Sequence, residues 1–448
     1  MSRDGEGPGA APDALRIATV ITRLEGGAGQ HALRGARAMN SDAFQMTIIT
    51  GSGDRLLDEA AQAGLEVIIE PSLRTPIDPR SDLRALRRLG SLFRERHFDV
   101  VHTHTAKAGT AGRLAAHRAG IPRIVHTYHG FPFHEFQQAP RRRAYVAIER
   151  RLGQITDLAL CVGTGVAVEA VRRELIAPER VRTIGVVVDG ADQAGAGFPV
   201  AGSPGVAPLA RRRARLALGL PADATVIGAV GRLTYQKAPE DFLAAMRRLG
   251  RPDVIGVWVG GGELAERIGR LAAAMPAGSV VLAGERTDVP ELLPAFDVFA
   301  LPSRYEGLPT VIVEAMVCGV PVVATAVNAV ADVVIPGETG LLVPPRSPEL
   351  MARAIAFLLD SPAVAAEMAT AARARLGSRF GESALRGALT EAYTRQLSPS
   401  RGVPGGRPPG PALPGGSGGS SSGPALPGGS GGSSPGSAPG SSATTRLA

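Results

Sequence analysis

Cysteine is nearly absent from this chain: there are two in 448 residues, Cys161 and Cys318, far apart and each in an apolar segment. They read as buried free thiols rather than a disulfide or a metal pair. Aromatic residues are scarce at 4%, with one tryptophan. None is interleaved with the basic clusters, and no nucleic-acid-binding signature occurs, so a nucleic-acid partner is not expected. No Asp-x-Asp pair and no H-E-x-x-H helix is found, which leaves no motif for a metal. The uncharged run Ala315 to Ala331 is broken by Gly319, Pro321 and Asn328, and so does not read as a membrane span. Residues 1–13 lack an apolar h-region, so no secretory signal is expected. A reducing cytoplasm is the default compartment, with peripheral attachment at the inner membrane face. Acidic residues are outnumbered, 41 against 49 Lys and Arg, for a formal charge of +8. The excess is mostly arginine, clustered at Arg141-Arg142-Arg143, Arg150-Arg151, Arg172-Arg173 and Arg211-Arg212-Arg213. Each cluster alone reads as a solvated helix face. Together they allow attraction to anionic lipid headgroups or diphosphates.

What the chain has in quantity is apolar sequence, 44% of it, in a regular order. Short apolar strands such as Leu15 to Thr22, Phe44 to Thr50 and Asp99 to His102 alternate with helical segments up to Val162. A second alternation starts at Thr225 to Val230 and runs to a helix at Pro348 to Leu359. Strand–helix alternation is the signature of open parallel sheets. The expected fold is α/β, with two Rossmann-like domains, 14–195 and 222–397, facing across a cleft where strand ends meet. Residues 191–221 read as the connection, with a helix at Leu209 to Leu218. Residues 399–448 are almost entirely Gly, Ser, Pro and Ala, and GPALPGGSGGSS occurs twice. That composition cannot bury a core and reads as a disordered tail.

The most specific stretch is PSRYEGLPTVIVEA, from Pro302 to Ala315. It follows the apolar strand VFAL, so Ser303 to Gly307 form a loop at a strand's carboxyl end. Pro309 to Cys318 read as a short helix, with Pro309 in the first turn and Gly319 and Pro321 ending it. Glu306 then lies in the loop and Glu314 about a turn and a half into the helix. A strand, a tight loop and a helix N-terminus make an anion site. Carboxylates beside it repel an anion unless they accept hydroxyl hydrogen bonds, and a sugar nucleotide offers both a diphosphate and two polyols. The bland alternative, one surface Glu and one capping Glu, does not account for the whole run.

This run resembles the retaining nucleotide-sugar glycosyltransferases of family four, which have the GT-B fold and carry two Glu eight positions apart in a PS-x-x-EG-x-P context. The resemblance spans roughly residues 15–397. It implies that Glu306 contacts donor-sugar hydroxyls and Glu314 the nucleotide ribose, with Gly307 and Leu308 in the donor-binding set. GRLTYQKAPEDF, from Gly231, places Arg232 and Lys237 across a strand-to-helix loop, and the family's Arg and Lys there bind the donor phosphates. Ala238 stands where glycine is usual. Gly26 and Gly27 open a helix and match the family's Gly-Gly loop facing donor and acceptor. His102, His104, His126, His129 and His134 crowd one region, and a metal cluster is the alternative reading. The family places the His before Gly, here His129, against the donor sugar. Arg286 is the expected base contact. Asn328 to Asp332 and Asp189 stand where the family has Gly-Gly-x-x-Glu and the Asp of N-G-V-D.

The implied activity is retaining transfer from a nucleotide-diphosphate sugar, a UDP-sugar, to a lipid-linked or saccharide acceptor in surface polysaccharide synthesis, with no cofactor and no metal. The rivals are a GT-B-fold UDP-sugar 2-epimerase and a non-catalytic nucleotide-sugar-binding scaffold.

Overall fold

A computed structural model describes residues 14–188, 191 and 207–395. The tail, residues 1–13 and Asp189 lie outside the described residues. The first half contributes strands β1 (Leu15–Ile21), β2 (Phe44–Thr50), β3 (Glu66–Ile69), β4 (Val100–His104), β5 (Arg123–Tyr128), β6 (Leu158–Cys161) and β7 (Val181–Thr183). Between them run α1 (Gly26–Met39), α2 (Arg55–Gln62), α3 (Pro79–Arg96), α4 (Ala106–Ala119), α5 (Ala139–Gln154) and α6 (Thr164–Arg172). The connecting helix α7 (Ala207–Ala217) stands close to where the sequence placed it. The second half holds β8 (Thr225–Val230), β9 (Val254–Val259), β10 (Val280–Gly284), β11 (Val298–Leu301), β12 (Val322–Thr325) and β13 (Leu341–Val343). Its helices are α8 (Pro239–Leu249), α9 (Ala265–Ala273), α10 (Val289–Leu292), α11 (Thr310–Val317), α12 (Pro348–Asp360), α13 (Pro362–Leu376) and α14 (Glu382–Thr394).

All strand pairs in the two sheets are parallel, in the orders β3-β2-β1-β4-β5-β6-β7 and β10-β9-β8-β11-β12-β13. Helices cover both faces of such sheets, which is why strands such as β1, LRIATVI, and β8, TVIGAV, read as nearly continuous apolar runs. Strand order reverses between β1 and β4 in one sheet and between β8 and β11 in the other. Ligands of open α/β sheets bind at the carboxyl ends of strands flanking such a reversal. The loops there hold Gly26 and Gly27 after β1, Arg232 and Lys237 after β8, and Glu306 after β11. Topology thus brings three separate sequence motifs to one place.

Two local expectations are corrected. The motif helix starts at Thr310, and Pro309 is the residue before it, extended at φ −72° and ψ 117°. The strand at the start of the chain ends at Ile21, one residue short of Thr22. The closing helix α14 returns to the first sheet: Leu385, Leu389, Ala392 and Tyr393 are buried with Ile17, Leu33 and Val100. Cys161 is buried and Cys318 half-buried, both unpaired, and burial pushes each thiol up to about 12. Among the described residues no single helix is long and apolar enough to cross a membrane.

Candidate functional site

Between the two sheets lies a cavity of about 2140 Å³. An ordinary ligand pocket holds about 300–1,000 Å³, so this one has room for two substrates at once. Gly26, Gly27, His129, Arg232, Lys237, Arg286, Glu306, Gly307, Leu308 and Glu314 all line it. Residues chosen from five separate stretches of sequence therefore share one space.

Glu306 is 6% exposed and clamped by three donors. Lys237 Nζ reaches Oε1 at 2.5 Å, Ser303 Oγ donates to the same oxygen at 2.7 Å, and Gln236 Nε2 donates to Oε2 at 3.1 Å. Its backbone carbonyl accepts from Asn328 Nδ2. The lysine expected to stand free for phosphate is thus held by the carboxylate expected to stand free for sugar. Lys237 precedes Ala238, whose left-handed conformation (φ 53°, ψ 53°) starts α8. The alanine adopts the backbone that glycine takes without strain, at a cost of roughly 1 kcal/mol. The Arg232 side chain is exposed to the cavity and makes no hydrogen bond or ion pair among the described residues. Its loop is pinned where Trp258 Nε1 donates to the Gly231 carbonyl at 2.8 Å. Arg286 lines the cavity tied to Asp288, at 2.8 and 2.5 Å, and that hydrogen-bonded carboxylate raises its pKa. Glu314 lies half-buried in the second turn of α11.

Two helix N-termini face each other here. α1 and α11 both begin without a side-chain cap, and a Cβ on Gly27 would lie 3.8 Å from Thr310 Oγ1. Uncapped first-turn N–H groups and aligned peptide dipoles favour an anion between them. The walls also touch. A Cβ on Gly307 would lie 1.7 Å from the His129 carbonyl oxygen, so only glycine permits that backbone approach. A second seam joins Gly163 to the turn Asn328–Asp332, where the Asp332 carboxylate accepts from the Thr164 amide at the start of α6. The segment that stands where the family has Gly-Gly-x-x-Glu thus ties the two halves together.

The histidines form a different arrangement from a metal cluster. His129 Nε2 and His104 Nδ1 share a hydrogen bond of 2.9 Å, and the His104 ring lies tilted by 37° against His102 with centroids 4.2 Å apart. His102 bonds Tyr393 Oη and Thr127 Oγ1, both at 2.7 Å, and His126 bonds Thr103 Oγ1 at 2.8 Å. His31 from α1 joins at 5.2 Å from the His129 ring. His134 stands apart, stacked on Tyr305 with centroids 4.1 Å apart. Among the described residues no group of three or more His, Cys, Asp and Glu is arranged to hold a metal ion. Burial, and then neighbouring positive charge, lowers every imidazole of the cluster: His31 to about 4, His102 to about 3, and His104, His126 and His129 well below the usual value. The unfolded chain takes up protons as pH falls below about 6.5 while the folded cluster stays neutral. The cluster's stabilising effect is therefore complete above pH 6.5 and is lost as pH falls. Each histidine contributes a slope of roughly 1.4 kcal/mol per pH unit until its folded pKa is reached. Urea midpoints should therefore drop steeply from pH 7 to pH 5, above the carboxylate range. A flat midpoint across that window would show the imidazoles already charged in the fold.

Ser303, Gln236 and His31 were not among the residues singled out from sequence. Ser303 and Gln236 flank the motifs and were readable by proximity. His31 and Tyr393 carry no local signal.

Residues 25–190 match the profile described as Glycosyltransferase Family 4, and residues 210–375 that of Glycosyl transferases group 1. The chain is 30% identical over 409 residues to a D-inositol 3-phosphate glycosyltransferase of Thermobispora bispora, covering 83% of this chain and 90% of the relative. It is 29% identical over 321 residues to the Escherichia coli UDP-Gal:alpha-D-GlcNAc-diphosphoundecaprenol alpha-1,3-galactosyltransferase, covering 70% and 80%. Its fold is similar to that of Anabaena Alr3699/HepE in complex with UDP-glucose, with a TM-score of 0.71 at 21% identity over 85% of this chain and all of that one.

Proposed function

Since the chain belongs to glycosyltransferase family 4 and is an enzyme using a nucleotide-sugar donor, we propose that it moves a sugar from a UDP-sugar, with retention, to a lipid-linked saccharide at an anionic membrane face. The product serves surface polysaccharide synthesis. The observation that carries the reading is the convergence of Arg232, Lys237, Glu306 and two uncapped helix N-termini on one cavity. The Escherichia coli relative, named for UDP-Gal and a diphosphoundecaprenol acceptor, supports the donor base and the acceptor class.

In this mechanism residues 222–395 hold the donor and residues 14–188 the acceptor. The diphosphate lies between Arg232, Lys237 and the first-turn amides of α1 and α11. As the bond from the sugar's anomeric carbon to the phosphate oxygen breaks, its electron pair goes to the diphosphate, whose growing charge the cations stabilise. The acceptor hydroxyl attacks from the same face and gives its proton to the departing phosphate oxygen. Glu306 orients Lys237 through the 2.5 Å contact and faces the sugar's hydroxyls as the ring gains positive charge. His129, held neutral and oriented by His104, borders the sugar, Glu314 meets the ribose, and Arg286 the base. Gly26, Gly27, Gly307 and Leu308 shape the wall.

Glu306→Gln should lower kcat by about 100-fold, because its contacts tighten as charge develops. Glu314→Gln should raise the donor KM by about tenfold with kcat nearly kept, as expected for a contact equal in ground and transition states. Steady-state kinetics with a UDP-sugar series and a short lipid-diphosphate acceptor measure both. Exchanged effects would require exchanged roles. Sugar transfer that needs acceptor excludes the epimerase, and donor consumed to an epimer without acceptor overturns the transferase reading.

A further inference from the structure

The fold engages part of the arginine clusters prominent in the sequence. Arg172 and Arg173 both pair with Glu169, Arg150 pairs with Glu174, and Arg211 pairs with Asp297. α3 is different. Arg80, Arg84, Arg87 and Arg88 project on its exposed side at helical spacing and line a small groove with Leu83. Among the described residues Arg80, Arg84 and Arg87 have no carboxylate partner, and only Arg88 approaches one, Glu70 at 4.0 Å. The acids within the segment are already used. Asp78 caps α3 by accepting from the Arg80 amide at 3.1 Å, and Asp82 is paired with Lys107.

Leu83 belongs to two surfaces. It is 45% exposed, lines the arginine groove, and also lines the large cavity. Ile77, just before the helix, is 71% exposed and lines the same cavity. Behind them the cavity wall continues through Leu86, Ala111 and Leu114. Large aliphatic side chains left in water at a cavity mouth mark a contact site for apolar matter. Unpaired arginines beside them match anionic phosphate at the same depth.

We propose that this face of α3 docks on an anionic lipid surface. Arg80, Arg84 and Arg87 contact headgroup phosphates, while Ile77 and Leu83 enter the boundary between headgroups and acyl chains. The cavity mouth then opens directly onto the bilayer, and an acceptor enters from the lipid without its apolar chain crossing water. The inference rests on the reading that the acceptor is lipid-linked. A nucleic acid offers the phosphates without the apolar layer that Ile77 and Leu83 require.

The test is flotation of the full chain with vesicles of equal phosphatidylglycerol and phosphatidylcholine, and with phosphatidylcholine alone. The wild-type protein should float with the anionic vesicles and far less with neutral ones, and raised salt should release it. Arg84→Ala/Arg87→Ala should weaken binding by about 30-fold, from roughly 1 kcal/mol per arginine near the surface. Arg84→Lys/Arg87→Lys should keep it. Neither arginine lines the catalytic cavity, so transfer to a soluble acceptor analogue should be unchanged in both variants while transfer to a vesicle-embedded acceptor falls in the alanine pair. Equal flotation of wild type and alanine pair overturns the proposal, as does a wild type indifferent to phosphatidylglycerol or displaced only by nucleic acid. Transfer to a soluble saccharide but never to a lipid-linked one would instead overturn the acceptor reading, and flotation would still decide the surface.

Discussion

Lys237→Ala is expected to lower kcat by about 100-fold and to lower the unfolding temperature as well. Combining it with Glu306→Gln should recover the unfolding temperature but not the turnover. The two effects separate because Lys237 does two things. Its ammonium lies 2.5 Å from a carboxylate only 6% exposed. Removing it leaves Glu306 a buried charge held only by the neutral donors Ser303 and Gln236, and an uncompensated buried charge is strongly destabilising. Glutamine at position 306 removes that charge, so the double variant is spared the penalty. Turnover should stay low because the cation proposed to stabilise the departing diphosphate is gone, a loss of roughly 2.7 kcal/mol for a hundredfold effect. Arg232→Ala is the matched control. It should cost a similar factor in kcat with no change in unfolding temperature, since the Arg232 guanidinium has no hydrogen-bond or ion-pair partner among the described residues. Calorimetry and steady-state kinetics on the four variants decide the matter. A double variant as unstable as Lys237→Ala would show that the ion pair is not what Lys237 contributes to the fold.

The second large effect is expected at Gly307. An alanine Cβ there would meet the His129 carbonyl oxygen at 1.7 Å and its carbon at 2.7 Å. Both are backbone atoms, which no side-chain rotation can move aside. The loops carrying Glu306 and His129 must separate, and a displacement of about 1 Å at a reacting centre costs on the order of 100-fold in rate. Gly307→Ala should therefore lose about that factor in kcat/KM together with some stability. Gly26→Ala tests whether steric contact is the cause. Gly26 has φ +60° but nothing within 4 Å of its Cβ position, so the substitution should cost only about 1 kcal/mol of backbone strain and little activity. Wild-type kinetics in Gly307→Ala would remove the seam from the argument.

The segments with the clearest reading were those whose chemistry is local. PSRYEGLPTVIVEA announced a strand end, a loop and a helix through apolar content, glycine and proline, and the structure differs from that reading by a residue at each helix end. GRLTYQKAPEDF likewise placed Arg232 and Lys237 on a strand-to-helix loop. Partnership was not legible. That Glu306 holds Lys237, 69 positions away, depends on β8 and β11 being neighbours, and strand order is set by the packing of many helices rather than by either loop. The five clustered histidines of the sequence became a different five: His134 left for Tyr305 and His31 entered from α1. The basic surface moved too, because Glu169, Glu174 and Asp297 engage arginines that counted as free charge in composition, whereas Arg80, Arg84 and Arg87 of α3 have no carboxylate partner among the described residues.

By itself the sequence determined the alternation of strands and helices, the two parallel sheets that follow from it, and the loops that carry Glu306, Arg232 and Lys237. Each of these rests on periodicity and turn chemistry within a few residues. Only the tertiary structure decided which side chains meet across the cavity, where glycine is obligatory, and which face of the molecule keeps its charge. The last helix shows the reason most directly. Tyr393 bonds His102 from 291 positions away, a contact that no local pattern encodes and that burial of α14 against the first sheet creates.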